Sequence, residues 1–282
     1  MSGRQDEFDP SGVSGRQDRF DLRGRVALVT GAAGGVGRVT ARRLAASGAS
    51  VAVTDIDECG AVGLAREITA DGGRAIGLRL DVTHTESVAA GFATAGQQLG
   101  APVDVLVNNA IVACPVPPRF HEAPQLLWDT DLDVIVKGAV RCAQAALPAM
   151  MARGDGVIVN VVSVNAFAFF GHPSYSAAKA AIVSLTRSLA VEYGGHGIRV
   201  NAVSPGTIRT PAWDEQIAKN PATFEALKQW YPLGRVGEPD DVATSICFLA
   251  SDSAGWITGS VLTVDGGLTA GNAVMARSVE GS

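Results

Sequence analysis

Seven short runs of aliphatic and β-branched residues alternate along this chain with Ala- and Leu-rich stretches of helical spacing. That alternation leaves few folds open. The runs cover residues 26–30, 50–55, 75–82, 103–108, 156–163, 198–204 and 260–264, and helices are expected near 36–47, 58–70, 85–99, 124–151, 173–193 and 239–250. The runs are almost continuously apolar, as strands become when helices cover both faces of a parallel sheet. The expected fold is therefore α/β, a doubly wound seven-stranded parallel sheet in a single domain over residues 25–268. No second domain is needed.

The first 24 residues stand apart. Ser2 to Asp9 recurs as Ser14 to Asp21 with one change, Glu7 to Arg19, in a segment rich in glycine and charge. Such a segment buries little and is expected to be a mobile tail, and residues 269–282 are expected to form a C-terminal tail. The composition, 47% hydrophobic and 18% charged, supports a sizeable core, and the net charge of -5 offers no basic footprint for nucleic acid. The 23 basic residues are scattered, which argues against docking on an anionic membrane, and no apolar stretch reads as a membrane span. The polar N-terminus resembles neither a signal nor a transit peptide, so a cytoplasmic location is expected. Cys59, Cys114, Cys142 and Cys247 show no paired spacing and are expected to be buried, reduced thiols. The four histidines show no metal-ligand spacing, and no metal is expected.

The first run leads directly into Gly31-Ala-Ala-Gly34-Gly35-Val36-Gly37 and then a helix. A strand, a glycine-rich turn and a helix N-terminus together make an anion site, because amide N–H groups and the helix dipole converge where side chains are missing. This is the arrangement of a Rossmann-type dinucleotide site. The second run ends at Asp55, followed by Ile56. A carboxylate there accepts hydrogen bonds from adenosine ribose hydroxyls and repels a 2′-phosphate. Asp57 adds negative charge, and no Arg or Lys lies between Val51 and Glu58, so NAD is expected over NADP.

Further motifs follow in order: Asp81-Val82, Asn108-Asn109-Ala110, Ser163, Tyr175-Ser-Ala-Ala-Lys179, Asn201-Ala-Val-Ser-Pro205-Gly206 and Asp265-Gly266-Gly267. With Thr30-Gly31-x-x-x-Gly35-x-Gly37 the set resembles the short-chain dehydrogenase/reductase family, in its short single-domain branch, over nearly the whole chain. The resemblance implies that Asp81 and Val82 flank the adenine and that Asn109 and Ala110 line the adenosine and ribose region. It also implies that Pro205, Gly206, Ile208 and Thr210 hold the nicotinamide carboxamide. It makes Ser163, Tyr175 and Lys179 catalytic, with Lys179 also gripping the nicotinamide ribose. A homotetramer or homodimer, paired through the 239–250 helix and the last strand, is a further implication.

The chemistry fits the spacing. Hydride transfer between a carbinol carbon and nicotinamide requires the oxygen to gain or lose a proton in step. A free phenol, with a pKa of about 10, is a poor base at neutral pH. Lys179 follows Tyr175 by one helical turn, so the two share a face, and an ammonium there, together with the positive charge of NAD⁺, is expected to bring the phenol toward working pH. The expected activity is interconversion of a secondary alcohol and a ketone. The aromatic segments 165–172 and 213–231 point to an apolar or ring-containing substrate.

Two positions depart from the family pattern. Ile135 stands in Trp128-Asp129-Thr-Asp-Leu-Asp-Val134-Ile135 where the family carries a catalytic Asn, and Ile111 stands where it carries Gly. Ile135 leaves a weakly catalytic nucleotide-binding protein as a rival reading. Reuse of the fold for a non-redox elimination or cyclisation is another.

Overall fold

Alternate residues of the first strand, β1 (Val26–Thr30), enter opposite cores. Ala27 and Val29 pack on one face with Leu44, Leu64 and Ile246, and Val26 and Leu28 pack on the other with Val88, Leu147 and Met150. This is the two-residue period of an extended chain with both faces covered. The computed structural model describes residues 20–112 and 118–280. The remaining strands are β2 (Ser50–Asp55), β3 (Arg74–Arg79), β4 (Val105–Asn108), β5 (Gly156–Val161), β6 (Ile198–Pro205) and β7 (Val261–Val264). All pair in parallel, in the order β3-β2-β1-β4-β5-β6-β7. The order reverses between β1 and β4, and the loops leaving the carboxyl ends there part into a crevice. The doubly wound single-domain sheet is as expected.

On one face lie α1 (Gly35–Ala46), α2 (Glu58–Ala70) and α9 (Pro239–Ala250). The other holds α3 (Thr85–Leu99), α5 (Gly138–Arg153) and α6 (Pro173–Tyr193). The expected single helix at 124–151 is in fact α4 (Gln125–Asp131), a π-helical stretch Leu132–Lys137 and α5. The wider π turn falls around Ile135, and such insertions concentrate near functional sites. The Gln125–Arg153 run is long and apolar enough to cross a membrane. Its residues Ile135, Ala139, Cys142, Ala143, Ala146, Leu147 and Met150 are instead buried in the domain.

Two expectations change. Phe20 and Leu22 fall in the stretch read as a mobile tail, yet Leu22 is buried and Phe20 stacks 5.7 Å from Phe248, because both side chains find apolar partners beside α9. Residues 1–19, with most of the duplicated segment, lie outside the described residues. The C-terminal stretch carries a helix, α10 (Ala273–Glu280). Of the thiols, Cys142 and Cys247 are buried and pushed up to about 12 by that burial, whereas Cys59 is exposed on α2. Cys114 is outside the described residues.

Candidate active site

The turn after β1 is held open from below. Asn109 Nδ2 donates to Thr30 O at 3.0 Å and Gly31 O at 2.9 Å, and the N–H groups of Asn109 and Ala110 both donate to Thr30 Oγ1. Gly31 takes φ +62°, and a Cβ there would lie 2.8 Å from Ala110 Cα. Gly37 is a correction to the expected cofactor contacts. It is buried beneath the loop, where a Cβ would lie 2.3 Å from Gly31 O and 2.5 Å from Asn109 Nδ2, so it allows α1 to close onto the sheet and does not line the cleft above. The N-terminus of α1 has no side-chain cap and no acidic residue in its first turn, leaving its N–H groups facing an anion site.

A cleft of about 610 Å³ opens over this turn. Every other expected cofactor residue lines it: Gly31, Gly34, Gly35, Val36, Asp55, Ile56, Asp81, Val82, Asn109, Ala110, Tyr175, Lys179, Pro205, Gly206, Ile208 and Thr210. Asp55 accepts from Ala33 N at 2.9 Å and from Asp57 N at 3.0 Å, which fixes its carboxylate between the glycine turn and the end of β2. Asp81 accepts from Thr83 Oγ1 at 2.6 Å and Thr83 N at 2.9 Å, and these bonds hold its carboxyl below the usual range. A glycine-lined cradle at a helix N-terminus, with a carboxylate at the next strand end, fits a dinucleotide.

Helix α6 is tied to the sheet by buried amides. Asn108 Nδ2 donates to Asn160 Oδ1, Asn160 Nδ2 donates to Thr186 Oγ1, and Thr186 donates to Ile182 O, linking β4, β5 and α6. That chain sets where the first turns of α6 lie, and so brings Tyr175 and Lys179 to the cleft floor. Lys179 is 2% exposed; its Nζ donates to Val161 O at 2.6 Å and lies 5.5 Å from the Tyr175 ring centroid. Ser163, just past β5, is hydrogen-bonded to Tyr175 and donates to Asn165 Oδ1 at 3.1 Å. The three expected catalytic side chains are thus brought together.

The expected acidification of the phenol is reversed in the protein alone. Burial pushes Tyr175 up to about 12, opposed by the Ser163 hydrogen bond and reinforced by the charge of Asp131. Burial also pushes Lys179 down to about 7, against the pull of Asp131. Desolvation is the largest influence on both groups. Ile135 is 4% exposed and packs with Ala139, Ala178 and Ile182, so an apolar contact occupies the place of the family's polar group.

A second cleft, of about 710 Å³, shares Ser163, Tyr175, Ile111 and Ile208 with the first and continues away from the glycine turn. Trp213, Trp230 and Phe170 line it, whereas Phe167 and Phe169 point outward and are exposed. Phe224 does not reach it but packs against Trp213, their ring centroids 5.7 Å apart. His172 also lines this cleft, with its backbone at φ +54° immediately before α6 and its ring 6.2 Å from that of Tyr175.

Two contributors were missed. Asn165 orients Ser163 and ties its loop to Gly171 O. Asp131, at the end of α4, is 2% exposed and accepts from Ser174 Oγ at 2.6 Å. Their only signals were a polar side chain beside Ser163 and an acid one turn before Ile135 on an otherwise apolar helix face. Among the described residues, no group of three or more His, Cys, Asp or Glu side chains is arranged to hold a metal ion.

A dinucleotide cradle meeting a Ser-Tyr-Lys cluster at the mouth of a second cleft defines a nicotinamide-dependent oxidoreductase. Residues 31–269 match a family model described as Enoyl-(Acyl carrier protein) reductase. The chain is 46% identical over 248 residues to the cis-4-hydroxycyclohexanecarboxylate dehydrogenase of Sinomonas cyclohexanicum, covering 87% of this chain and 97% of that one. Its fold is similar to that of a short-chain dehydrogenase/reductase family oxidoreductase from Burkholderia thailandensis, with a TM-score of 0.83, 42% identity, and 92% and 98% of the two chains covered. It is also similar to a gluconate 5-dehydrogenase from Burkholderia cenocepacia, solved with NADP and tartrate: TM-score 0.83, 32% identity, and 90% and 99% coverage. The chain belongs to the short-chain dehydrogenase/reductase family.

Proposed function

We propose that this protein interconverts a ring-containing secondary alcohol and its ketone with NAD(H), using Tyr175 as general acid/base. The observation that carries the reading is the meeting of Ser163, Tyr175 and Lys179 on the floor shared by the two clefts. The nicotinamide, when bound, supplies the hydride acceptor or donor and, when oxidised, a positive charge. Ser163 Oγ holds the substrate oxygen against the Tyr175 hydroxyl, and Tyr175 takes or gives the oxygen's proton. Lys179 favours the phenolate electrostatically and offers its remaining N–H donors to the nucleotide ribose. Because the phenol is raised to about 12, chiefly by burial, the reaction at neutral pH depends on cationic charge arriving at the site.

The preference for NAD is supported by Asp55, whose carboxylate lines the cleft where an adenosine ribose would meet it, with no Lys or Arg between Val51 and Glu58. The preference for a ring is supported by Trp213, Trp230 and Phe170. A homotetramer or homodimer is supported by the wholly exposed Trp256 and the exposed Leu262 on β7, which leave apolar surface at the sheet's edge. Purified protein given NAD⁺ and cyclic secondary alcohols, or NADH and cyclic ketones, is expected to change nicotinamide absorbance. Inactivity across a broad panel with both nucleotides would sink the reading.

A further inference from the structure

Asp131 is an unusual wall for a substrate cleft. Its side chain is 2% exposed, yet it lines the second cleft beside Tyr175, and Ser174 Oγ fixes it to the catalytic helix with a 2.6 Å hydrogen bond into Oδ2. A carboxylate offers about four acceptor positions, so the Ser174 bond leaves capacity for a ligand. No Lys or Arg lines this cleft among the described residues. Lys179 lines the neighbouring cleft and donates to Val161 O.

We propose that Asp131 selects the substrate by charge: the cleft takes a ring-bearing alcohol whose distal substituent donates a hydrogen bond, as a hydroxyl or an ammonium, and rejects carboxylates. The inference rests on the second cleft being the substrate site of the dehydrogenase proposed above. Like charges repel more strongly near a protein surface than in water, and no Lys or Arg among the cleft's described lining residues offsets the repulsion. A cleft lined by this carboxylate and by Trp213 and Trp230 suits a cation or a hydroxyl donor. Its charge already reaches the reacting groups, opposing ionisation of Tyr175 and favouring the ammonium of Lys179.

The same two tryptophans report occupancy by fluorescence. The full chain, saturated with NAD⁺, is titrated with cyclohexylamine and with cyclohexanecarboxylate. The ammonium is expected to bind at least fivefold more tightly. Asp131→Asn keeps an acceptor for Ser174 and is expected to shrink that ratio at least fivefold. Turnover of 4-aminocyclohexanol against 4-hydroxycyclohexanecarboxylate is expected to show the same order in kcat/KM. A smaller ratio in the wild type, or a smaller change in the variant, overturns the inference; if the variant does not fold, the wild-type ratio decides. The two readings fail separately. An ammonium preference without turnover of any alcohol removes the dehydrogenase reading alone, whereas turnover that favours the carboxylate removes charge selection alone.

Discussion

The Lys179 ammonium stands 5.5 Å from the centre of the Tyr175 ring while donating to Val161 O, so the lysine is anchored by the sheet and not by the phenol it serves. Tyr175 is therefore replaceable without dislodging its neighbour. Tyr175→Phe is expected to lower kcat by about 10²- to 10⁴-fold, the usual worth of a positioned acid/base. Nucleotide affinity should change less than threefold, because the glycine turn and Lys179 are untouched. Retained turnover in steady-state assays would remove Tyr175 from the chemistry.

Lys179 also leaves a mark on stability. Burial lowers its pKa from 10.5 to about 7. Between those values the folded protein holds fewer protons than the unfolded chain, so stability rises with pH across the window. The contribution is present above about pH 10 and is lost as pH falls toward 7. Lys179→Met removes this dependence. The difference in Tm, variant minus wild type, should be most positive near pH 7 and decline steadily toward pH 10, measured calorimetrically without nucleotide. A difference that stays flat with pH would show that the lysine is not depressed.

Local pattern carried the strands, the glycine turn and the Tyr175–Lys179 pair, because each is written in contiguous residues with a fixed period. The same reading placed Gly37 at the ligand, since the sequence cannot distinguish a glycine that faces a cleft from one that lets a helix close on a strand. It missed Asp131, whose meaning comes from Ser174, a residue brought near only by the packing of α4 against α6. The balance at Tyr175 in the protein without nucleotide was also misread. Spacing reveals an ammonium one turn away, whereas the larger influence, burial of the phenol, exists only after the chain has folded. Aromatic residues in the 165–172 loop were equally ambiguous: of the three phenylalanines, Phe170 alone lines the cleft.

Asp55 provides the test of nucleotide choice. A 2′-phosphate placed about 4 Å from its carboxylate is repelled by about 1 kcal/mol in water and about 4 kcal/mol near a protein surface. Asp55→Asn keeps an acceptor for Ala33 N and removes the charge. The ratio of NAD to NADP affinities, measured by titration, is expected to move toward NADP by at least tenfold, which corresponds to about 1.4 kcal/mol. An unchanged ratio would mean that the carboxylate does not discriminate, and the NAD assignment would fall with it.

Ile135→Asn asks what the missing polar group is worth. Ile135 packs between the π turn and α6, so burying an amide there is expected to cost about 1–3 kcal/mol. In a domain of this size that lowers Tm by roughly 2–4 °C per kcal/mol. The loss is tempered because Ile135, Asn108 and Lys179 line a common cavity of about 10 Å³, and Asn108 Oδ1 has no hydrogen-bond partner among the described residues. An amide at 135 would bring a donor and an acceptor next to the catalytic lysine, and one hydrogen bond contributes about 1 kcal/mol. The variant is therefore expected to be less stable but faster, with kcat raised by less than tenfold and nucleotide affinity unchanged. A gain of several orders of magnitude would instead mark Ile135 as the defect of a dormant enzyme, and a fall in kcat would show that proton traffic through Lys179 has no use for a polar group at this turn.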